Sequence, residues 1–352
     1  MSKVQLASYS QVFLQSNNST TPSTKMTKPR VLIVGATGRT GGTIVDALLQ
    51  AGETEVEALI RPASNGKPST LKLRDRGVKI HVAEINDDAQ LGGIFAGIDT
   101  IISTVPPEAQ LHQIPLADAA KKAGVKRFVP CAFITVCPPG GVMWIRDEKE
   151  QVYQHIRKIG LPYTFIDVGY WYQASFPTLP SGRVDYASLM VPNVTIVGNA
   201  DMKTALTDLR DVGPYVAKII TDDRTANKYV FCYGELLSQE EVFAKLEEIS
   251  REKIERQYLP ADQLLALRDA TKASFGHDFS DMNKTMLVVG LEYAYSKFVR
   301  GDNSPEFAKY LGYVDASDLY PDFVPRSFEA FAKELVDGKA ENPFEGIRMD
   351  GL

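Results

Sequence analysis

Apolar residues in the first half of the chain gather into short β-branched runs, and between those runs they fall at helical spacing. Val31-Leu32-Ile33-Val34 predicts a buried strand, Gly35-Ala36-Thr37-Gly38-Arg39-Thr40-Gly41-Gly42 a glycine turn, and Thr43 to Leu49 a helix. Strands are expected again at Val56–Ile60, Val78–Val82, Asp99–Ser103 and Arg127–Pro130, the last with an end blurred by the proline inside it. Helices are expected near Asp88 to Phe95 and Leu111 to Ala123, and a charged helix carries Arg146 to Arg157. Strands that alternate with helices join by right-handed crossovers into a parallel sheet. The expected fold class is therefore α/β, a doubly wound parallel sheet followed by a smaller α/β region.

From about Asp167 the pattern loosens into a loop rich in proline and aromatics, Tyr170 to Pro192, and then into shorter elements. Ser238 and Glu241 have capping-box spacing, and Val242, Phe243, Leu246 and Ile249 form one apolar face of the helix they begin. A strand at Lys228 to Cys232 and helices near Ala261 to Thr271, Pro305 to Leu311 and Ser327 to Leu335 complete a region expected to cover the cleft. The expected division is a flexible tail over 1–29, a nucleotide-binding domain over 30–168 to which later segments return, a smaller substrate-binding region over 169–340, and a C-terminal tail over 341–352. Residues 1–30 contain no acid and a polar run from Ser16 to Thr24, too little apolar surface to order itself. Transit peptides are rich in arginine, whereas the only arginine here is Arg30, so a bland tail is the expectation.

Composition narrows the partners. With 39 Lys and Arg against 44 Asp and Glu, the net charge of −5 leaves no basic field for a nucleic-acid backbone. Three cysteines, Cys131, Cys137 and Cys232, make neither a disulfide framework nor a metal clip, which fits a reducing, cytoplasmic setting. None of the four histidines stands at HExxH spacing, so no metal is expected. No apolar run reaches the roughly 18 residues of a membrane span. An organic cofactor, a small ligand or a protein partner remains.

The glycine turn supplies the chemistry. Glycine is needed where backbone must approach a pyrophosphate and where helix packs on strand, while the helix N-terminus offers free N–H groups to the anion. Gly35, Thr37, Gly38, Arg39, Thr40 and Gly41 are thus the expected dinucleotide contacts, and the sheet is expected to be of Rossmann type. Arg61, where such folds that bind NAD carry a carboxylate, suits a ribose 2′-phosphate and argues for NADPH, with Arg39 and Lys67 adding charge. Ser103, Thr104, Val105 and Phe133 fall at carboxyl ends of strands, where the nicotinamide half should lie. The only Tyr-x-x-x-Lys match, Tyr293 with Lys297, lies far outside the nucleotide-binding half and is read as a coincidence. Tyr170, Trp171 and Tyr172 either line an aromatic substrate pocket or pack as core. Lys149, taken alone, reads as one solvated cation in a charge run.

The order of segments resembles the isoflavone reductase, phenylcoumaran benzylic ether reductase and pinoresinol reductase group, atypical short-chain dehydrogenases/reductases allied to the NmrA-like proteins. The likeness runs from Val31 to about Phe331 and includes Gly35-Ala36-Thr37-Gly38, Ile101-Ile102-Ser103-Thr104-Val105, Gly160-Leu161-Pro162-Tyr163-Thr164-Phe165, Asp211-Val212-Gly213 and Asp318-Leu319-Tyr320-Pro321-Asp322. That resemblance implies a catalytic lysine on the helix before the Gly-x-Pro-Tyr-Thr strand, and the position is Lys149. Where the family often carries a cofactor-associated arginine this chain has Tyr153, carried over as a cofactor contact. The family's Ser-Glu-Phe-Gly appears as Cys131-Ala132-Phe133-Ile134, and its Asn-Phe-Phe as Gly169-Tyr170-Trp171-Tyr172. The implied function is NADPH-dependent reduction of a small aromatic or conjugated secondary metabolite, with Lys149 as general acid/base or oxyanion stabiliser. A rival from another class is an NmrA-like protein that senses NADP without turnover, and a third is a non-redox isomerisation. A homodimer stays open.

Overall fold

The computed structural model describes residues 27–276, 281–344 and 349–350. Most of the expected N-terminal tail lies outside the described residues. β1 (Arg30–Val34) alternates Val31 and Ile33 toward one core with Leu32 and Val34 toward another, all at most 3% exposed. A strand buried on both faces belongs in the middle of a sheet covered on two sides. There follow α1 (Arg39–Ala51), β2 (Glu55–Ile60), α2 (Pro68–Asp75), β3 (Lys79–Val82), α3 (Asp88–Phe95) and β4 (Thr100–Ser103). Next come α4 (Gln113–Lys122), β5 (Arg127–Val129), α5 (Trp144–Lys158) and β6 (Thr164–Asp167). The first five strands make a parallel sheet of order β3-β2-β1-β4-β5. The order reverses at β1, where β2 and β4 flank it, and this opens a crevice at their carboxyl ends.

The chain continues through β7 (Tyr170–Trp171), β8 (Met190–Val191), β9 (Thr195–Val197), β10 (Thr204–Thr207), α6 (Leu209–Ile219), β11 (Lys228–Phe231) and β12 (Glu235–Leu237). It ends with α7 (Gln239–Ser250), β13 (Gln257–Leu259), α8 (Ala261–Phe275), α9 (Met282–Tyr295), α10 (Pro305–Tyr310), β14 (Tyr313–Asp315), α11 (Ala316–Leu319), α12 (Phe328–Val336) and β15 (Met349–Asp350). β6 pairs in parallel with β11, and β11 with β14, while one bridge, Phe128 to Tyr163, links this sheet to β5.

Two helices escape the sequence pattern. α6 holds Gly213 and Pro214, which read as breakers, yet Leu209, Val212, Val216 and Ile219 repeat at helical spacing and are buried against α1. α9 has its polar residues bunched at Asn283, Lys284 and Thr285 with Glu292 alone beyond them, so no helical period shows in its sequence. The expected C-terminal tail needs a correction, because Phe344 is only 8% exposed and β15 pairs with β8. Residues 345–348 and 351–352 of that expected tail lie outside the described residues.

Candidate active site

At the crevice the glycine loop is pressed onto the end of β4. Gly35 has φ +83°, and a Cβ there would stand 2.6 Å from the Thr104 carbonyl oxygen; at Gly41 it would stand 2.2 Å from the Gly35 carbonyl oxygen. The Thr104 hydroxyl fastens the loop by donating to the carbonyls of Val34 (2.9 Å) and Gly35 (3.1 Å). α1 has Gly38 as its N-cap, which offers no side-chain cap, and there is no acid in its first turn. Uncapped first-turn amides are donors for an anion. Thr37, Gly38 and Arg39 are exposed and Thr40 half-buried. The Arg39 guanidinium lies 5.3 Å from the centre of the Phe344 ring. Arg61 just past β2 and Lys67 at the start of α2 are exposed, with no acidic partner among the described residues. An anion cradle bordered by free cations fits a phosphorylated dinucleotide.

Below the loop lies a cavity of about 390 Å³, whose lining includes Thr40, Thr104, Val105, Phe133 and Lys149 together with residues of α7 and α9. Among the described residues its only charged lining groups are two lysines, Lys149 and Lys297. Lys149 is 2% exposed, and its Nζ donates to the Cys131 carbonyl (2.7 Å) and to Gln110 Oε1 (3.1 Å). Burial pulls its ammonium below the ordinary lysine value, against the opposing pull of Cys131 and Asp167. Asp167 is itself raised by burial, and it accepts from Tyr313 Oη at 2.5 Å and Arg146 Nη1 at 3.2 Å. Phe133, at the end of β5, takes φ +50°, with its N–H donating to the Ile166 carbonyl at 2.8 Å. A left-handed backbone at a bulky residue stores strain, a feature that clusters at functional sites.

The solvated reading of Lys149 fails on geometry. Ile145, Lys149, Val152 and Ile156 stand on one buried face of α5, while Gln151, Gln154 and Lys158 are exposed. The lysine occupies an apolar-face position, and that spacing was the available signal. Tyr170 and Trp171 line the cavity. Tyr172 does not: it is fully buried against Phe328 and Phe331, its Oη donating to the Arg326 carbonyl at 3.2 Å. Tyr153 is likewise corrected, since it packs in the core, its ring stacked at 4.0 Å on Phe165. Ser103 is fully buried behind the loop and is not part of the cavity wall. Sequence reasoning missed Gln110, which positions Lys149, and it set Tyr293 and Lys297 aside for remoteness along the chain. α9 and the turn after it return both to the cavity wall.

Among the described residues no helix is long and apolar enough to cross a membrane. The chain is 40% identical over 314 residues, 88% of its length and 95% of the relative's, to asnovolin J 5′,6′-dehydrogenase of Aspergillus novofumigatus. It is 30% identical over 306 residues, 84% of its length and 94% of the relative's, to isoflavone reductase homolog P3 of Arabidopsis thaliana. The binary complex of leucoanthocyanidin reductase with NADPH from Vitis vinifera superposes with a TM-score of 0.73 at 26% identity, covering 88% of this chain and 99% of that one. Residues 27–332 match the NmrA-like family, and the chain belongs to it.

Proposed function

We propose that the chain is an NADPH-dependent oxidoreductase, of the isoflavone reductase-like kind, acting on a small ring-bearing or conjugated secondary metabolite. The observation that carries this reading is the Lys149 amine, buried in a largely apolar cavity directly below an anion cradle. The first-turn amides of α1 hold the pyrophosphate, and Arg61 and Lys67 take the 2′-phosphate. Thr104, Val105 and Phe133 border the nicotinamide end. When bound, the cofactor supplies or accepts a hydride at its nicotinamide ring. Gln110 and the Cys131 carbonyl hold Nζ of Lys149 in place. In the reductive direction Lys149 gives a proton to the substrate oxygen or carbon, or stabilises the charge that develops there, and solvent restores the proton. Tyr170 and Trp171 offer flat faces to a flat substrate. The walls around them exclude water from the reacting carbon.

Relatives named dehydrogenase and reductase differ in direction, so both directions are assayed. NADPH absorbance is followed with isoflavones, lignan precursors and quinone methides, and NADP⁺ reduction with their saturated counterparts. Turnover in the parent, abolished in Lys149→Ala with cofactor binding retained, is the expected result. Tight cofactor binding with no turnover of any compound would instead favour an NADP-sensing role.

A further inference from the structure

The mechanism leaves one buried amine unused. α9 runs into a π turn, Ser296–Arg300, closed by Gly301. Wide turns of this kind collect at functional sites. Lys297 sits in it, 5% exposed, and lines the same cavity as Lys149. Its Nζ stands 3.2 Å from the centre of the Tyr170 ring and 4.7 Å from that of Phe298. No hydrogen-bond acceptor reaches it among the described residues. The two acids closest along the chain are engaged elsewhere. Glu292 accepts from Lys272 Nζ (2.7 Å) and the Trp144 N–H (2.9 Å), and Asp302 from Ser296 Oγ and Arg300 Nε (both 2.8 Å). The neighbouring titratable groups are phenols, Tyr170 and Tyr293, whose rings lie 5.2 Å apart and whose burial pushes both up.

The contrast with Lys149 is instructive. Lys149 has a carbonyl and an amide oxygen to hold it, whereas Lys297 has only ring faces. An amine that faces an apolar cavity without a protein acceptor leaves its donors to whatever fills that cavity. The cavity wall carries no Asp or Glu to do so among the described residues. An acceptor there can come from the bound ligand, and an anionic oxygen would also favour the charged form of an amine that burial pushes well below the ordinary lysine value. We propose that Lys297 determines specificity by receiving an anionic oxygen of the substrate, of which a carboxylate is the simplest. This rests on the reading of the cavity as the substrate site. The Tyr170 face supports the ammonium from one side and the bound oxygen completes its shell. Pinning that end of the molecule at α9 sets which carbon lies near Lys149.

The test compares 2-naphthoate with methyl 2-naphthoate, titrated into the full chain saturated with NADP⁺ and followed by quenching of tryptophan fluorescence, since Trp171 lines the cavity. The acid is expected to bind about tenfold or more tighter than the ester, the gain of one charge-assisted pair in an apolar site. Lys297→Met should bring the ratio near unity by weakening the acid alone, and Lys297→Arg should preserve it. Lys297→Gln provides a second reading if the methionine variant does not fold, and the parent ratio stands without any variant. An ester bound as tightly as the acid, an acid that does not bind, or a ratio unchanged in Lys297→Met would overturn the proposal. The titration needs no turnover. A protein that keeps the ratio but never exchanges hydride therefore refutes the catalytic reading alone.

Discussion

Gly213→Ala is the sharpest probe of how the cofactor cradle is mounted. α6 lies across α1, and a Cβ at Gly213 would stand 1.9 Å from the Thr43 carbonyl oxygen, 2.4 Å from its carbon and 3.0 Å from the Ile44 nitrogen. Ordinary contact begins at 3.4 Å, so the two backbones must separate by about 1.5 Å. Neither can rotate aside as a side chain would. Alanine gains about 1 kcal/mol of helix propensity over glycine. Overpacking costs about 1–3 kcal/mol, and this site belongs at the upper end because α6 also carries Leu209, Val212, Tyr215, Val216 and Ile219 into the same core. The expected net loss is about 1–2 kcal/mol, read from urea unfolding, together with weaker NADPH binding because Thr43 directly follows the glycine loop in α1. Gly93→Ala in α3, where a Cβ meets nothing within 4 Å, is the matched control and should stabilise by up to about 1 kcal/mol. Equal or greater stability in Gly213→Ala would refute the argument.

If Lys149 donates a proton, the reductive rate should fall as pH rises through a value below the ordinary 10.5, because burial favours the neutral amine and the donor form is lost early. A rate flat up to 10.5 in a pH series would remove both proton donation and charge stabilisation, since each needs the protonated amine. Arg61→Glu should weaken NADPH by about tenfold or more while sparing NADH, measured by fluorescence titration of both; equal losses would remove Arg61 from phosphate recognition. Glu57, 2% exposed, opposes its burial with bonds from Arg30 (2.6 Å) and His81 (2.5 Å), which hold its carboxyl below the usual range. Its contribution is present above the unfolded pKa and lost as pH falls through the lowered folded value, and Glu57→Gln should cost about 3 kcal/mol near neutral pH by calorimetry.

What could be read from the chain depended on where periodicity and chemistry coincide. β1, the glycine loop and α1 form a strand–turn–helix whose residue types are dictated locally, and Thr104 alone had to be supplied by tertiary structure. α6 was hidden because Gly213 and Pro214 signal a break, whereas here the glycine serves a helix crossing. Asp211, beside it, accepts the Arg326 N–H at 2.6 Å, so a stretch quoted only as a likeness turns out to join α6 to the segment before α12. Tyr172 shows the converse limit, since an aromatic next to a cavity residue in sequence faces wherever its turn directs it, and Tyr153, one turn beyond Lys149, is taken up by the core instead. Lys297 was out of reach because no local pattern says that α9 folds back over β7.

The laying of α6 on α1 has a consequence for how such a protein can diversify. A helix contributed from beyond residue 168 packs beside α1 in the same core as β1 and β2, so neither half is a transplantable module. Recombination that exchanged the second half for another would strip the dinucleotide cradle of its backing. New substrates must then be acquired in place, by exchanging single side chains such as Trp171, Gln239 or Lys297 around an inherited frame.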